Sequence, residues 1–140
     1  MADAPINPRV LQALGQDRGI VETFGLTLEK ALDGRCEFSC VVPQSLVNAA
    51  GFAHGSVAFT LLDTGCAYAL SSLGVRGVTL NANTTYIKAA QGGSRLTATA
   101  SVVSRTRRTA TLRGEVYLAD GGEQLLAAHG SFVFQLLAID

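Results

Sequence analysis

The chain has 140 residues, with 11 basic and 11 acidic side chains balancing to a formal net charge of zero and 48% hydrophobic residues. That length supports one domain, residues 1–140, whose core needs no disulfide or metal staple. Neutrality excludes the strongly basic surface of a nucleic-acid or anionic-membrane binder, so neither is expected as a partner, and it leaves little charge to oppose self-association.

The first predicted element is a short helix in NPRVLQALG, with Asn7 as N-cap, Pro8 at the first helical position and Gly15 as the stop. Leu26, Leu28, Cys36, Phe38, Cys40 and Val42 then alternate with polar residues about Leu32-Asp33-Gly34-Arg35, which reads as a hairpin. A long helix follows from Gly55 to about Leu73: Val57, Ala58, Leu61, Leu62, Gly65, Cys66, Ala69, Leu70 and Leu73 recur at helical spacing. Gly74 ends it. Three alternating runs come next, Val78–Lys88, Arg95–Arg105 and Thr109–Ala119, and Gly121-Gly122 turns the chain into EQLLAAHGSFVFQLL. Long strands on short turns predict an antiparallel meander, and only the long helix can cover its apolar face. The expected fold class is α+β, a curved antiparallel sheet wrapped around one long central helix.

Cys36, Cys40 and Cys66 are odd in number, and two of them share one predicted strand face, a poor disposition for a disulfide. With only His54 and His129 as imidazoles, no zinc-ligand spacing appears, so no metal is expected. The thiols read as small buried residues of a reducing compartment. MADAPINPRV lacks the features of a secretory leader, and no run approaches the ~18 apolar residues of a membrane span. The expected location is the cytoplasm.

The informative stretch is NAAGFAHGSVAFTLLD, which ends in a lone carboxylate inside the most apolar segment. A helix starting Gly55-Ser56 offers free N–H groups and the positive end of its dipole, and Gly55 lets a ligand approach the backbone. Phosphate-loop and dinucleotide-binding patterns are absent, which makes a carbonyl or thioester oxygen the more natural guest. Asp63 lies roughly 12 Å along the axis from that terminus at ~1.5 Å per residue. It cannot touch a carbonyl docked there. If both groups act on one bond, Asp63 comes from a second copy, in a two-fold dimer with antiparallel central helices. The competing reading is an aspartate at the border of the apolar face that snorkels to water or pairs with an arginine. His54 by itself reads as a hydrogen-bonded loop residue, and His129 as structural.

Asn48, Gly51, His54-Gly55, Asp63 and the following GVTLNANTTYI together resemble the hotdog-fold acyl-CoA thioesterases, specifically the PaaI-like group of phenylacetate degradation, over nearly the whole chain. The resemblance implies an enzyme that hydrolyses an acyl-CoA, aromatic or medium-chain, to free acid and CoA, without a cofactor. It implies a homodimer with shared active sites, commonly paired again into a homotetramer. Gly55 would donate its N–H to the thioester carbonyl, and Asp63 of the opposite subunit would act as general base or as nucleophile. Asn48 and His54 would shape the loop and orient water or the acyl carbonyl, while Thr79 would hold the attacking water.

Two positions depart from the family pattern. Ser56 stands where a second glycine is usual, and Lys88-Ala89-Ala90 replaces Arg-Pro-Ala near the CoA entrance. Arg105, Arg107 and Arg108 cluster at a strand turn, either as a clamp on CoA phosphates, with Lys88 as a lesser contributor, or as a solvated turn. Phe52, Phe59 and Tyr68 read either as acyl-pocket lining or as core. The rival functions are a hydratase or dehydratase on the same fold and a non-catalytic acyl-CoA-binding module.

Overall fold

The computed structural model describes residues 6–137. In chain order they form α1 (Pro8–Gln16), α2 (Arg18–Phe24), β1 (Thr27–Leu32), β2 (Arg35–Val41), a 3-10 turn (Gln44–Leu46), α3 (Gly55–Ser71), β3 (Gly77–Tyr86), β4 (Arg95–Arg105), β5 (Thr109–Asp120) and β6 (Glu123–Leu136). The strands make one six-stranded antiparallel sheet in the order β1-β2-β4-β5-β6-β3, with α3 packed mainly on β2, β4 and β5. The expected sheet around one helix is therefore present.

Local chemistry accounts for most element boundaries. Asn7 caps α1, its side chain accepting the Arg9 N–H at 2.9 Å, and Pro8 needs no partner at the first helical position. The hairpin turns on Asp33 and Gly34, at φ 55° and 80°, and both backbone conformations suit a two-residue loop that follows the strand twist. α3 is apolar on most sides, the pattern of a helix enclosed by protein. Its Val57, Leu61, Leu62, Cys66, Ala69 and Leu70 are fully buried.

Small residues let α3 lie close to the sheet. One row across the strands reads Cys36, Ala100, Gly114, Gly130 and Thr84. A Cβ on Gly114 would stand 2.8 Å from a Leu62 methyl, and one on Gly130 would stand 2.6 Å from the Asn83 carbonyl oxygen. Phe38, Leu112, Phe132 and Phe134 fill the space on either side of that row, each fully buried. The three cysteines are buried and free, and burial pushes the Cys40 thiol up to about 11 and the Cys66 thiol up to about 12.

The structure corrects three expectations. The chain re-enters a helix at Arg18 after α1 instead of going straight to the hairpin, and α2 ends at Gly25 in the left-handed region. α3 stops at Ser71, where the Ser72 hydroxyl bonds the Ala69 carbonyl and accepts the Gly34 N–H at 2.8 Å, tying the helix end to the hairpin. The meander holds only for β4, β5 and β6. β3 pairs with β6 at the far edge, because residues 87–94 carry the chain across to β4 as a loop and not as a tight turn. No helix among the described residues is long and apolar enough to cross a membrane.

Candidate active site

The loop before α3 is closed by its own polar groups. Asn48 Oδ1 accepts the N–H groups of Ala50 and Phe52 at 3.0 and 3.1 Å, and Gly51 turns the chain at φ 89°. The Lys88-Ala89-Ala90 loop docks on this segment without the family's proline, since the Ala53 N–H meets the Ala90 carbonyl at 2.7 Å. His54 is the N-cap of α3. Its Nδ1 accepts the Ser56 N–H at 3.0 Å and lies 2.8 Å from the Ser56 hydroxyl, which fits a neutral imidazole carrying its proton on Nε2. The Val57 N–H is taken by the His54 carbonyl at 2.9 Å. Among the described residues, no acceptor meets the Gly55 N–H.

Gly55 is glycine for no reason internal to the fold. Its φ is not positive, and an added Cβ would meet only the Tyr86 ring, at 3.7 Å, an ordinary contact. A residue that the backbone and the packing would both allow to be larger points outward, to something that must come close to its amide. Beside it opens a cavity of about 210 Å³, lined among others by His54, Gly55, Ala58, Tyr86, Lys88 and Val116. Lys88 and the start of α3 both place positive potential at its mouth.

Asp63 lies eight residues further along α3, about 12 Å from Gly55 at ~1.5 Å per residue. The Thr79 hydroxyl donates to its Oδ1 at 2.7 Å and fixes the carboxylate on the β3 side of the helix. Thr79 reaches it because the β3–β6 ladder slips by one residue between Thr79 and Asn81, leaving Leu80 out of register. Strict alternation would send Thr79 and Tyr86, seven positions apart, to opposite faces. After the bulge both meet α3, Thr79 at Asp63 and Tyr86 at Gly55, whose carbonyl accepts the Tyr86 hydroxyl at 3.0 Å.

The structure thus brings together Gly55, His54, Ser56 and Lys88 at one point, and Asp63 with Thr79 at another. Asn48 serves the loop and does not line the cavity. Arg105, Arg107 and Arg108 are exposed at the β4–β5 turn. The Arg108 carbonyl accepts the Leu136 N–H, and Leu136 pairs with Gly77 at the start of β3, so the arginines belong to the Asp63 side of the sheet and not to the cavity. Tyr68 is core, packed on Phe38 and bonded to Asp17, and Phe59 leans on Phe132. Neither lines the cavity, nor does Phe52. His129 is exposed in β6, opposite Glu115 and Thr85 and away from both points. Tyr86 went unnoticed in the sequence because the bulge that turns it toward Gly55 leaves no mark in the hydrophobic pattern.

The family model described as the thioesterase superfamily matches residues 50–124, from the loop before α3 to the start of β6. A relative from Archaeoglobus fulgidus that bears an esterase name is 31% identical over 108 residues, covering 77% of this chain and 70% of its own length. A thioesterase protein of Streptococcus pneumoniae, solved with coenzyme A, is 26% identical with a TM-score of 0.76, covering 85% of this chain and 98% of that one. Variants of the pneumococcal protein in which an aspartate or a threonine is replaced by alanine have also been solved, and those two positions are 16 apart, the separation of Asp63 and Thr79 here. A variant of PaaI from Thermus thermophilus is 28% identical with a TM-score of 0.77, covering 85% of this chain and 99% of that one. The chain belongs to the thioesterase superfamily and has the hotdog fold of its PaaI-like members.

Proposed function

We propose that the protein is an acyl-CoA thioesterase whose active site is completed by a second copy of the chain. The observation that carries this reading is the split itself. An unengaged N–H at a glycine without a fold-internal reason stands about 12 Å from the threonine-held carboxylate of the same helix. The coenzyme A in the pneumococcal relative supports the substrate class, and the matching spacing of its replaced aspartate and threonine supports the pairing of Asp63 with Thr79.

In the proposed dimer two β3 edges meet about a two-fold axis. The single chain leaves β3 with one unpaired side and with Val78, Leu80 and Tyr86 about half exposed, as is Ile87 beyond it, which makes it a template for a second strand. Antiparallel α3 helices then set the partner subunit's Asp63 beside Gly55. The Gly55 N–H binds the thioester oxygen and stabilises the charge that develops there. The partner's Asp63 takes a proton from water as the water adds to the carbonyl, or attacks the carbonyl itself to give a mixed anhydride that water then hydrolyses, restoring the carboxylate; in either route the proton given up by water goes to the departing thiolate. The C–S bond breaks, the thiol of CoA leaves protonated, and the free acid is released. The same rotation carries the partner's Arg105, Arg107 and Arg108 outside the start of α3, where CoA phosphates would lie, with Lys88 nearby.

A panel of aromatic, short and medium-chain acyl-CoAs with thiol release as readout tests the reaction, and absence of turnover on every member would end it. Sharing of the site is tested by mixing Asp63→Asn chains with Gly55→Pro chains. Mixed dimers hold one intact site, so up to about half of the sites in each mixed dimer regain activity; mixed dimers that form and stay inactive would refute the sharing.

A further inference from the structure

We infer that Tyr86 is a positioning residue that holds the Gly55 amide in the orientation needed at the thioester; the inference rests on the function proposed above. Gly55 is the first residue of α3, and glycine is the residue least able to hold its own torsions. On its N-terminal side the His54 N–H bonds the Leu46 carbonyl, and the His54 carbonyl, which shares a peptide plane with the Gly55 N–H, accepts the Val57 N–H, while the Ser56 N–H bonds His54 Nδ1. Among the described residues, the side-chain hydrogen bond that joins this first turn to the sheet is that of the Tyr86 hydroxyl, which donates to the Gly55 carbonyl at 3.0 Å. The hydroxyl end of the ring packs on the site, with its hydroxyl-bearing carbon 3.7 Å from where a Gly55 Cβ would stand.

The carbonyl and the N–H of Gly55 flank one Cα. The cap holds the peptide plane that carries the N–H and Tyr86 ties the following plane to β3, so the two together leave Gly55 little freedom at either torsion and set where its amide sits against the sheet. A donor aimed beforehand at the place where negative charge develops costs no reorganisation in the transition state. The bulge at Leu80 gives this contact its meaning for the whole site: one strand orients both halves, Tyr86 holding the donor of its own chain and Thr79 holding the carboxylate that serves the partner.

Tyr86→Phe keeps the ring and removes only the hydroxyl. The expected result is a threefold to tenfold fall in kcat with KM unchanged, the size set by losing one ordinary hydrogen bond that matters mainly in the transition state. Backbone relaxation of the Gly55 amide should show greater fast mobility in the variant, while the melting temperature stays within a few degrees. A variant with wild-type kcat, or with the loss confined to KM, overturns the inference, and so does an unchanged Gly55 amide. If the wild type hydrolyses no thioester, the function fails separately, and the mobility of Gly55 still decides whether Tyr86 holds it.

Discussion

The two sides of the sheet are built to different rules. Under α3 the β2–β4–β5 side is closed: Phe38, Leu112 and Val116 are fully buried, and small residues such as Ala100 and Gly114 bring helix and sheet into direct contact. At the other side β3 is exposed along nearly its whole length, carries a bulge, and includes the one buried side-chain polar atom without a partner among the described residues, Thr84 Oγ1. Yet β3 is the strand that touches both candidate catalytic groups. Stability is concentrated where the strand pattern is regular, and the candidate chemistry where it is broken and, in the proposed dimer, open to a second copy.

The sharpest test of this division is to change the open side and watch activity alone. Asp63→Asn keeps size and the Thr79 contact but removes the carboxylate proposed as base or nucleophile, so a loss of about a hundredfold to ten-thousandfold in kcat is expected, with a melting curve close to wild type. Full activity in this variant would refute the assigned chemistry while leaving the fold intact. Gly55→Pro should follow, at about a hundredfold to a thousandfold, by deleting one donor. His54 already has φ −57° and ψ 145°, the extended conformation a residue before proline prefers, and the first helical position tolerates the missing N–H. A melting temperature that fell sharply would show that the fold needed the glycine after all.

The closed side should respond the other way. Leu112→Ala opens a cavity beneath fully buried neighbours and is expected to cost about 2–5 kcal/mol of stability, measured by denaturant unfolding. At a temperature where the variant remains folded, its kcat should stay within about twofold of wild type, since Leu112 neither lines the cavity beside Gly55 nor takes part in the Asp63–Thr79 bond. A selective loss of turnover would show that the core and the site are coupled more tightly than the open edge suggests.

What could be read beforehand follows the same division. The central helix, the Asp33-Gly34 and Gly121-Gly122 turns and the buried cysteines were legible because each depends on local periodicity or on residues that tolerate positive φ. The distance from Gly55 to Asp63 was legible too, since helical rise is fixed, and it pointed to a second chain before any contact was known. α2 was not, because Ile20, Val21 and Phe24 stay partly exposed and Gly19 interrupts the segment. The place of β3 beside β6 depends on a pairing more than forty residues away in the chain, and the Leu80 bulge reverses the alternation by which faces are assigned. The role of Thr79 therefore rested on family resemblance, and Tyr86 had no signal at all.

The smallest effect concerns Thr84, and it probes whether the open edge is finished in a single chain. Its hydroxyl is buried without a partner among the described residues, next to Gly130 in the row beneath α3. Leaving such a group unpaired costs about 1–3 kcal/mol, and valine has nearly the same shape and suits a strand. Thr84→Val should therefore hold or raise stability, by up to about 1 kcal/mol, with no change in kcat. A loss of stability would mean that the hydroxyl has an acceptor in the assembled protein. If that loss grew as the protein was concentrated, the acceptor would come with the second copy, because a water bound within one chain would give the same loss at every concentration. The comparison would then sharpen: β3 would be incomplete in its packing as well as in its chemistry, and dimerisation would complete both at once.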